Sequence, residues 1–364
     1  MVDKSELRTL YLLPGTGVQG GMTAITKMYY DAGLFSEQSS KHFNTSFTTQ
    51  NKVLRALEGI TMKMCFLFVL MRFKPKVVIV MTSSHWGFYD KCIYCLMARI
   101  FGIKSILNPV GGEFMKFFEK NSLSRFLVKT LIRSASVVVI GSNYWYEYFN
   151  LNFGSSSNIF KIPNPVNSHS FDRRNKDYLV DGKLRVITVG NIIKSKGIIE
   201  LADVIKKTIE LNKNIEFVII GSGDLDEWLG LELKKEIRLG FVDLRGRVSD
   251  EKKTSFLLKS DIFLALSHFE VIPIAMLEAM SASLPVISTD VGGIPDLIVN
   301  NENGFILTRD KLSEVPLILH SLQSENPNKL IKMGAKSRSI VDMEYDVFSV
   351  LKAYKDLSIN ILYG

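Results

Sequence analysis

Two carboxylates, Glu270 and Glu278, stand eight positions apart in a segment whose residue types suit ligand binding. The segment begins with an apolar run over 261–266, which is typical of a strand buried in a parallel sheet. Glu270 lies in the polar loop that follows, and Glu278 lies in a predicted helix with Pro273 at its first position. A loop acid can orient the hydroxyls of a ligand, and the helix N-terminus between the two acids favours an anionic group such as a diphosphate.

A strand–loop–helix–strand unit must hold these carboxylates. The pattern predicts a helix over 274–280, a second strand over 285–289 and a glycine turn that starts at Gly292. Open parallel sheets bind ligands beyond the carboxyl ends of their strands, which is where Glu270 would lie. The alternative interpretation is a solvated acidic pair on an ordinary surface helix.

A second candidate site follows the predicted strand 184–189. Gly190 begins a turn that carries Lys194 and Lys196, and a helix through residue 211 comes next. Glycine, lysine and a helix N-terminus at the end of a strand form a phosphate site through charge and dipole together. Solvated loop lysines are the alternative.

The pattern of Glu270, seven residues, Glu278-Ala-Met, Pro285-Val-Ile and Gly292-Gly-Ile-Pro resembles the nucleotide-sugar site of retaining GT-B glycosyltransferases of family four, the glycosyl transferases group 1. The resemblance is strong over 184–306 and loose over 1–166. It implies an α/β GT-B fold with two Rossmann-like domains facing across a cleft and a C-terminal helix that crosses back to the first domain. The implied domains are 1–166 with about 345–364, which binds the acceptor, and 167–344, which binds the nucleotide sugar.

The resemblance also implies roles for single residues. Glu270 would hold the hydroxyls of the donor sugar, Glu278 would hold the ribose hydroxyls, and Lys196 would stabilise the departing diphosphate. The family usually has arginine at the position of Asn191, so Lys194 is expected to supply the second positive charge. The complete set implied for donor binding is Gly20, Gly21, Gly190, Asn191, Lys194, Gly221, Gly223, Arg247, Val248, Ile272, Pro273, Ile274 and Glu278. No metal and no other cofactor is expected, because fixed positive groups would replace Mg²⁺.

The first glycine loop allows two interpretations. Gly15-x-Gly17-x-x-Gly20 matches a dinucleotide fingerprint, but Asp31 is too close to serve as the ribose acid. A lone match is weak evidence for NAD. The resemblance instead implies that the amides of Gly20 and Gly21 approach the diphosphate of the donor.

His85 is the third catalytic candidate, since it follows a predicted strand over 77–81. A lone loop histidine is more often structural. Similar proteins carry a histidine near the loop that here contains Gly112 and Glu113, on the side of the acceptor or the donor sugar. This sequence has no histidine in that loop. The role of the histidine would therefore fall to His85 or Glu113, or to no residue.

Size and composition set the class of the protein. With 364 residues, 46% hydrophobic and 23% charged, the chain predicts a folded globular protein of two domains. The charged N-terminal sequence does not match a signal peptide, and no apolar stretch reaches the roughly 18 residues of a membrane span. Cys92 and Cys95 have CxxC spacing inside an apolar helical run, which favours buried core thiols over a metal site, and with Cys65 they imply no disulfide framework. A cytoplasmic location fits.

The basic residues are unevenly distributed. Residues 1–178 hold 22 Lys and Arg against 11 Asp and Glu, whereas the remainder holds 23 against 26. Residues 114–133 place aromatics and cations at helical spacing, which suits either an anionic bilayer or an ordinary amphipathic helix. The apolar run 64–71 favours a buried helix, with a membrane-surface helix as the alternative.

The resemblance implies an enzyme: a retaining, metal-independent hexosyltransferase that moves a sugar from a nucleoside-diphosphate sugar to an acceptor hydroxyl, with UDP favoured over GDP as the nucleotide. A lipid-linked or oligosaccharide acceptor in bacterial O-antigen or capsule assembly is the hypothesis. The enzyme would lie peripherally on the inner face of the plasma membrane, at an anionic membrane surface. The alternatives are an NAD-dependent oxidoreductase, based on the glycine fingerprint, and a basic nucleic-acid-binding protein, although no recognition module for nucleic acid is visible.

Overall fold

The computed structural model describes residues 7–17, 21–111, 114–154, 158–171, 177–325 and 327–364. Within these ranges the strands are β1 Thr9–Leu13, β2 Ser40–Asn44, β3 Val77–Thr82, β4 Lys104–Pro109, β5 Val137–Ile140, β6 Ile159–Lys161, β7 Leu184–Val189, β8 Ile215–Ile220, β9 Val242–Leu244, β10 Ile262–Ala265, β11 Val286–Thr289 and β12 Gly304–Leu307. The α-helices in the same ranges are α1 Gly21–Asp31, α2 Lys52–Phe73, α3 Trp86–Ile100, α4 Phe114–Glu119, α5 Ser122–Leu131, α6 Asn143–Phe153, α7 Ile198–Leu211, α8 Asp226–Glu232, α9 Lys234–Arg238, α10 Asp250–Lys259, α11 Ile274–Ser281, α12 Val315–Ser324, α13 Pro327–Ile340 and α14 Val347–Tyr363.

The chain divides into two compact units. Unit 1 comprises residues 1–165 and 347–364, and unit 2 comprises residues 166–346. Each unit holds a six-stranded sheet in which the paired strands run parallel, in the order β2-β1-β3-β4-β5-β6 in unit 1 and β12-β11-β10-β7-β8-β9 in unit 2. The α/β prediction of two Rossmann-like halves is confirmed.

Helix α14 belongs to unit 1 although it ends the chain, as the resemblance implied. Its Tyr354 is buried, and the Nδ2 of Asn108, near the end of β4, donates a hydrogen bond of 2.6 Å to the Tyr354 hydroxyl. Burial raises the pKa of Tyr354, so this hydroxyl stays protonated in the core. Asn108 therefore anchors the last helix to the sheet of unit 1.

The sheet of unit 1 is covered on both faces, which explains its continuous apolar strands. All residues of β1 and β3 are buried. The chain steps from β1 outward to β2, then back across the sheet from β3 to β6. Helix α1 connects β1 to β2, and α2 connects β2 to β3, which lies on the other side of β1.

Helix α2 corrects one expectation. The run 64–71 is helical, as predicted, but it is not a buried helix. Phe66 and Leu70 face the core, whereas Met64 and Phe68 are 66% and 65% exposed. The sequence was ambiguous because both sides of this helix are apolar, so the spacing of its residues does not show which side faces the protein.

The stretch 114–133 also differs from the expectation of one amphipathic helix. It forms α4 and α5, and the side chain of Asn121 caps α5 by accepting a 2.8 Å hydrogen bond from the Ser124 amide. The aromatics Phe114, Phe117 and Phe118 on α4 are buried, so they offer no surface to a membrane. The exposed apolar side chains of this stretch, Leu123, Phe126 and Leu127, all belong to α5.

The cysteines match their prediction. Cys92 and Cys95 are buried in α3, and Cys65 is exposed on α2. Burial raises the pKa of the Cys92 thiol and raises that of Cys95 to about 12. In the described part of the chain, no helix is both long enough and apolar enough to cross a membrane.

Candidate functional site

The carboxyl ends of β7 and β10, adjacent strands in unit 2, bring the two main candidates into contact. Lys196 ends a 3-10 turn after β7, and Glu270 lies in the loop after β10. The ammonium of Lys196 forms an ion pair with the Glu270 carboxylate, and their side chains are 30% and 12% exposed. The hydroxyl of Ser267 donates a 2.9 Å hydrogen bond to the same carboxylate oxygen. Cation and anion thus share one half-buried position at the edge where such sheets bind ligands.

Two glycines allow this contact through close backbone approach. A Cβ on Gly197, which has φ +68°, would lie 1.8 Å from the Leu266 carbonyl oxygen. A Cβ on Gly292, with φ +56°, would lie 1.7 Å from the Glu270 carbonyl oxygen. Since any larger residue would clash with backbone there, both positions require glycine. The loop of Glu270 is therefore held between the turn of Lys196 and the glycine turn after β11.

A second polar cluster supports the same loop. His268 Nε2 lies 2.9 Å from a carboxylate oxygen of Glu200 near the start of α7, and Arg309, which follows β12, donates to that oxygen over 3.1 Å. The amide of His268 donates a 2.9 Å bond to the Ser195 carbonyl. Burial would raise the pKa of the Glu200 carboxyl, but hydrogen bonds from its own amide, His268 and Arg309 outweigh it and lower that pKa.

Glu278 belongs to α11, and its side chain faces α10. Its carboxylate accepts a 2.8 Å hydrogen bond from Lys253, whose ammonium also lies 3.3 Å from Asp250. Burial raises the pKa of the Glu278 carboxyl, and the Lys253 ammonium opposes that rise. Burial alone would lower the pKa of Lys253, but the carboxylates of Glu278 and Asp250 raise it. The short contact between opposite charges favours an ionised pair at neutral pH.

Backbone hydrogen bonds connect the turn after β7 to the end of β8, and the turn after β8 to the segment after β9. The amide of Gly190 donates to Ile220 over 3.0 Å, and the amide of Gly221 donates to Gly246 over 2.8 Å. The Nε of Arg247 donates a 2.5 Å bond to the Ser222 hydroxyl. Gly190, Gly221, Gly223 and Arg247, which were predicted to bind the donor, thus line neighbouring strand ends.

The remaining predicted donor residues of unit 2 surround this edge. Pro273 is the N-cap of α11 instead of its first helical residue, which corrects the prediction by one position, and Ile274 begins the helix. Ile272 is buried, Val248 is half-buried, and Asn191 and Lys194 are exposed. The structure brings all of these residues to one edge of the sheet, and their individual roles remain predictions.

In unit 1 the candidates are described only in part. Gly20, Gly112 and Glu113 lie outside the described residues, and Gly21 begins α1. His85 precedes α3 with φ +60° and ψ −133°, a backbone conformation that a residue with a Cβ rarely adopts, and its ring lies 5.1 Å from that of Phe117. Such strain is common at functional sites, which keeps His85 a candidate.

No cluster of three or more His, Cys, Asp or Glu able to hold a metal ion occurs within the described ranges. Asp226 serves the fold, because one of its carboxylate oxygens accepts a 2.9 Å hydrogen bond from the Gly223 amide at the start of α8. The independence of metal remains a proposal.

Sequence reasoning gave no role to four polar residues of this edge: Glu200, Lys253, His268 and Arg309. His268 was part of the recognised loop, but its partners are distant in sequence. Lys253 was visible in the sequence as a basic residue near the start of a predicted helix, but nothing in the sequence indicated that it would face Glu278.

Comparison with known proteins finds similar glycosyltransferases. Residues 170–336 match the family model of glycosyl transferases group 1. An uncharacterized glycosyltransferase of Methanocaldococcus jannaschii, MJ1178, is 27% identical over 278 residues, which cover 76% of this chain and 75% of that protein. The amylovoran biosynthesis glycosyltransferase AmsK of Erwinia amylovora is 30% identical, and the match covers 45% of this chain and 41% of AmsK. The chain therefore spans less than half of the length of that relative.

Solved structures agree on the fold. The crystal structure of Anabaena Alr3699/HepE in complex with UDP superposes with a TM-score of 0.74 at 15% identity, over 96% of this chain and 99% of that one. At this identity the likeness speaks for the fold. Residues 170–336 are therefore similar to the group 1 glycosyltransferases, and the chain, with its two parallel-sheet units, has the GT-B fold.

Proposed function

We propose that the protein transfers a sugar from a nucleoside-diphosphate sugar to an acceptor hydroxyl, with retention of anomeric configuration and without a metal ion. The observation that carries the proposal is the contact of Lys196 with Glu270 at the carboxyl ends of two adjacent strands. Binding of a diphosphate requires a cation, and binding of sugar hydroxyls requires a group that accepts hydrogen bonds. Both are present at one position of a group 1 glycosyltransferase domain.

The charges of the reaction suit these groups. As the bond from the anomeric carbon to the diphosphate oxygen breaks, the sugar becomes cationic and the diphosphate gains negative charge. Lys196 and the N-terminal amides of α11 would stabilise the departing diphosphate, because fixed charges and dipoles aimed at developing charge lower the barrier. Glu270 would orient the sugar hydroxyls, and Glu278 would bind the ribose.

UDP-sugars are the first donors to test, since solved structures of the same fold contain UDP. For the acceptor we propose a lipid-linked saccharide. AmsK is named for amylovoran biosynthesis, and a further relative, CapM, is named for capsular polysaccharide biosynthesis. Assembly of O-antigen or capsule at the inner face of the plasma membrane would then be the setting, with the protein as a peripheral enzyme.

The test is a screen of UDP- and GDP-sugars for release of nucleoside diphosphate, with the wild-type protein and Glu270→Ala. Turnover of a donor by the wild type and its loss by at least 100-fold in the variant is the expected result. If the protein only binds nucleotides, a UDP- or GDP-sugar would raise its melting temperature, but no nucleoside diphosphate would be released with any acceptor. That result would contradict the proposal.

The chain offers a matched control. Lys206 and Glu232 form a similar ion pair on the surface between α7 and α8, with side chains 35% and 41% exposed. Glu232→Ala removes a carboxylate from a lysine in the same unit but away from the strand ends. It should keep the turnover of the wild type. Equal losses in both variants would contradict the assignment of the site.

A further inference from the structure

Helix α2 carries a continuous apolar stripe on its outer side. Its members recur at spacings of three and four residues, which place them on one face of a helix. They are Val53, Leu57, Ile60, Met64, Phe68 and Met71, each at least 57% exposed. From Val53 to Met71 the stripe runs for about 27 Å at 1.5 Å per residue.

The neighbouring helices extend this stripe. Helix α3 packs against both α2 and α5, and the guanidinium of Arg99 on α3 donates a 3.0 Å bond to the Arg133 carbonyl just after α5. We use the name α2–α3–α5 face for the exposed large apolar side chains of the three helices, which are Val53, Leu54, Leu57, Ile60, Met64, Phe68, Met71, Trp86, Ile93, Leu96, Ile100, Leu123, Phe126 and Leu127.

The concentration of apolar groups is unusual for a surface that meets water. These 14 residues are nearly half of the 30 exposed large apolar side chains in the described part of the chain. Unit 2, with a comparable number of residues, contributes nine, scattered over several elements. Exposed apolar side chains in this number on helices that pack against each other mark a surface that another phase or molecule covers.

The charged residues of the same three helices indicate what covers this surface. Together α2, α3 and α5 contain eight Lys and Arg against two Asp and Glu. Both acids have partners inside the unit: Glu58 accepts from Thr48, and Asp90 pairs with Lys63 and Lys91. The cations near the rim, such as Arg125 and Lys129, have long stems that can reach past the apolar side chains. Apolar side chains that enter a lipid layer, surrounded by cations at headgroup level, match an anionic bilayer.

We infer that the α2–α3–α5 face is a docking surface for anionic phospholipid. The inference specifies the peripheral location proposed above and rests on exposure and charge, so its test needs no turnover. Failure of vesicle binding would leave sugar transfer from a nucleotide sugar untouched, and failure of transfer would leave the docking surface untouched.

The experiment measures co-sedimentation of the full chain with vesicles of phosphatidylglycerol and phosphatidylcholine, and with phosphatidylcholine alone. The test variant is Met64→Gln with Phe68→Gln. The matched control is Leu317→Gln with Met343→Gln, whose wild-type side chains are 61% and 65% exposed in unit 2. We expect the test variant to lose at least tenfold in affinity for the mixed vesicles and the control to bind as the wild type does.

A second pair of changes tests the charge. Arg125→Gln with Lys129→Gln should weaken binding to the mixed vesicles by about fivefold per cation at low salt, since each cation near an anionic surface contributes about 1 kcal/mol. Circular dichroism and thermal melting verify that each variant is folded. Equal binding to both vesicle types, or no binding by the wild type at low salt, would overturn the inference. So would a dimer in solution that Met64→Gln with Phe68→Gln converts to a monomer, because the face would then be covered by a second copy of the chain.

Discussion

Replacing Glu270 with Gln separates the two roles assigned to the Lys196–Glu270 pair. The amide keeps the size of the side chain and removes its charge. In the unliganded protein the carboxylate neutralises Lys196, which is 30% exposed. A diphosphate that contacts Lys196 must therefore compete with Glu270. In the variant that competition is absent, so we expect tighter binding of UDP together with slower turnover of the UDP-sugar.

The magnitude follows from the geometry. A phosphate oxygen on the far side of the ammonium would lie about 5 Å from the carboxylate, where two charges at an effective dielectric constant of about 20 repel by roughly 3 kcal/mol. Screening by solvent at this half-exposed site reduces that figure to about 1.4 kcal/mol, a tenfold gain in UDP affinity. Lys196→Gln should act in the opposite direction and weaken UDP binding by about tenfold or more, because it removes a charge-assisted hydrogen bond.

Isothermal titration with UDP measures both affinities, and release of UDP from a UDP-sugar measures turnover. Glu232→Gln, at the surface pair with Lys206, is the control for removal of a carboxylate from a lysine. The reasoning is refuted if Glu270→Gln weakens UDP binding as much as Lys196→Gln does, because the carboxylate would then contact the nucleotide in place of the sugar. Wild-type turnover by Glu270→Gln would refute the assignment to the sugar hydroxyls.

Three other predictions concern groups around the two units. Glu278→Gln should weaken UDP binding by about tenfold yet leave inhibition by inorganic pyrophosphate unchanged, since ribose hydroxyls belong to the nucleoside alone; equal losses for both ligands would contradict the ribose role. Glu200 has a lowered pKa in the folded protein, so its ionised form stabilises the fold above the ordinary value of 4.5. Denaturant titrations should show that the wild type exceeds Glu200→Gln in free energy of unfolding by about 1 kcal/mol at pH 7. This difference should shrink as the pH falls below 4.5, and a difference that stays constant would contradict the role of the ionised carboxylate. In the native protein at pH 8, Cys65 should react rapidly with a thiol reagent while Cys92 and Cys95 react only after denaturation, and rapid reaction of more than one thiol would contradict their burial.

The sequence carried enough information for the sheet of unit 2 and for the candidate site at the strand ends before Lys196 and Glu270. The strand before Glu270 is a continuous apolar run because a parallel strand is buried on both faces, and the glycine turn at Gly292 is needed wherever backbone approaches backbone. These constraints are local in sequence, and a reader of the chain can see them directly.

The contacts of single charges could not be predicted in the same way. Glu200 and Arg309 are separated by 109 residues, and they meet because α7 and the segment after β12 reach the same edge of the sheet. Pairing of this kind depends on strand order, which the spacing of residues does not encode. Likewise, Asn121 was a visible cap signal within 114–133, but the apolar pattern on both sides of it favoured one helix instead of two.

The backbone contacts of Gly197 and Gly292 limit how this protein can be engineered. Carbonyl oxygens stand where a methyl group would be, so alanine at either position would push the turn of Lys196 or the loop of Glu270 out of place. Variant libraries aimed at the ligand preference of the proposed donor site should hold both glycines constant. They can vary the exposed Asn191 and Lys194 nearby, where no core packing is disturbed.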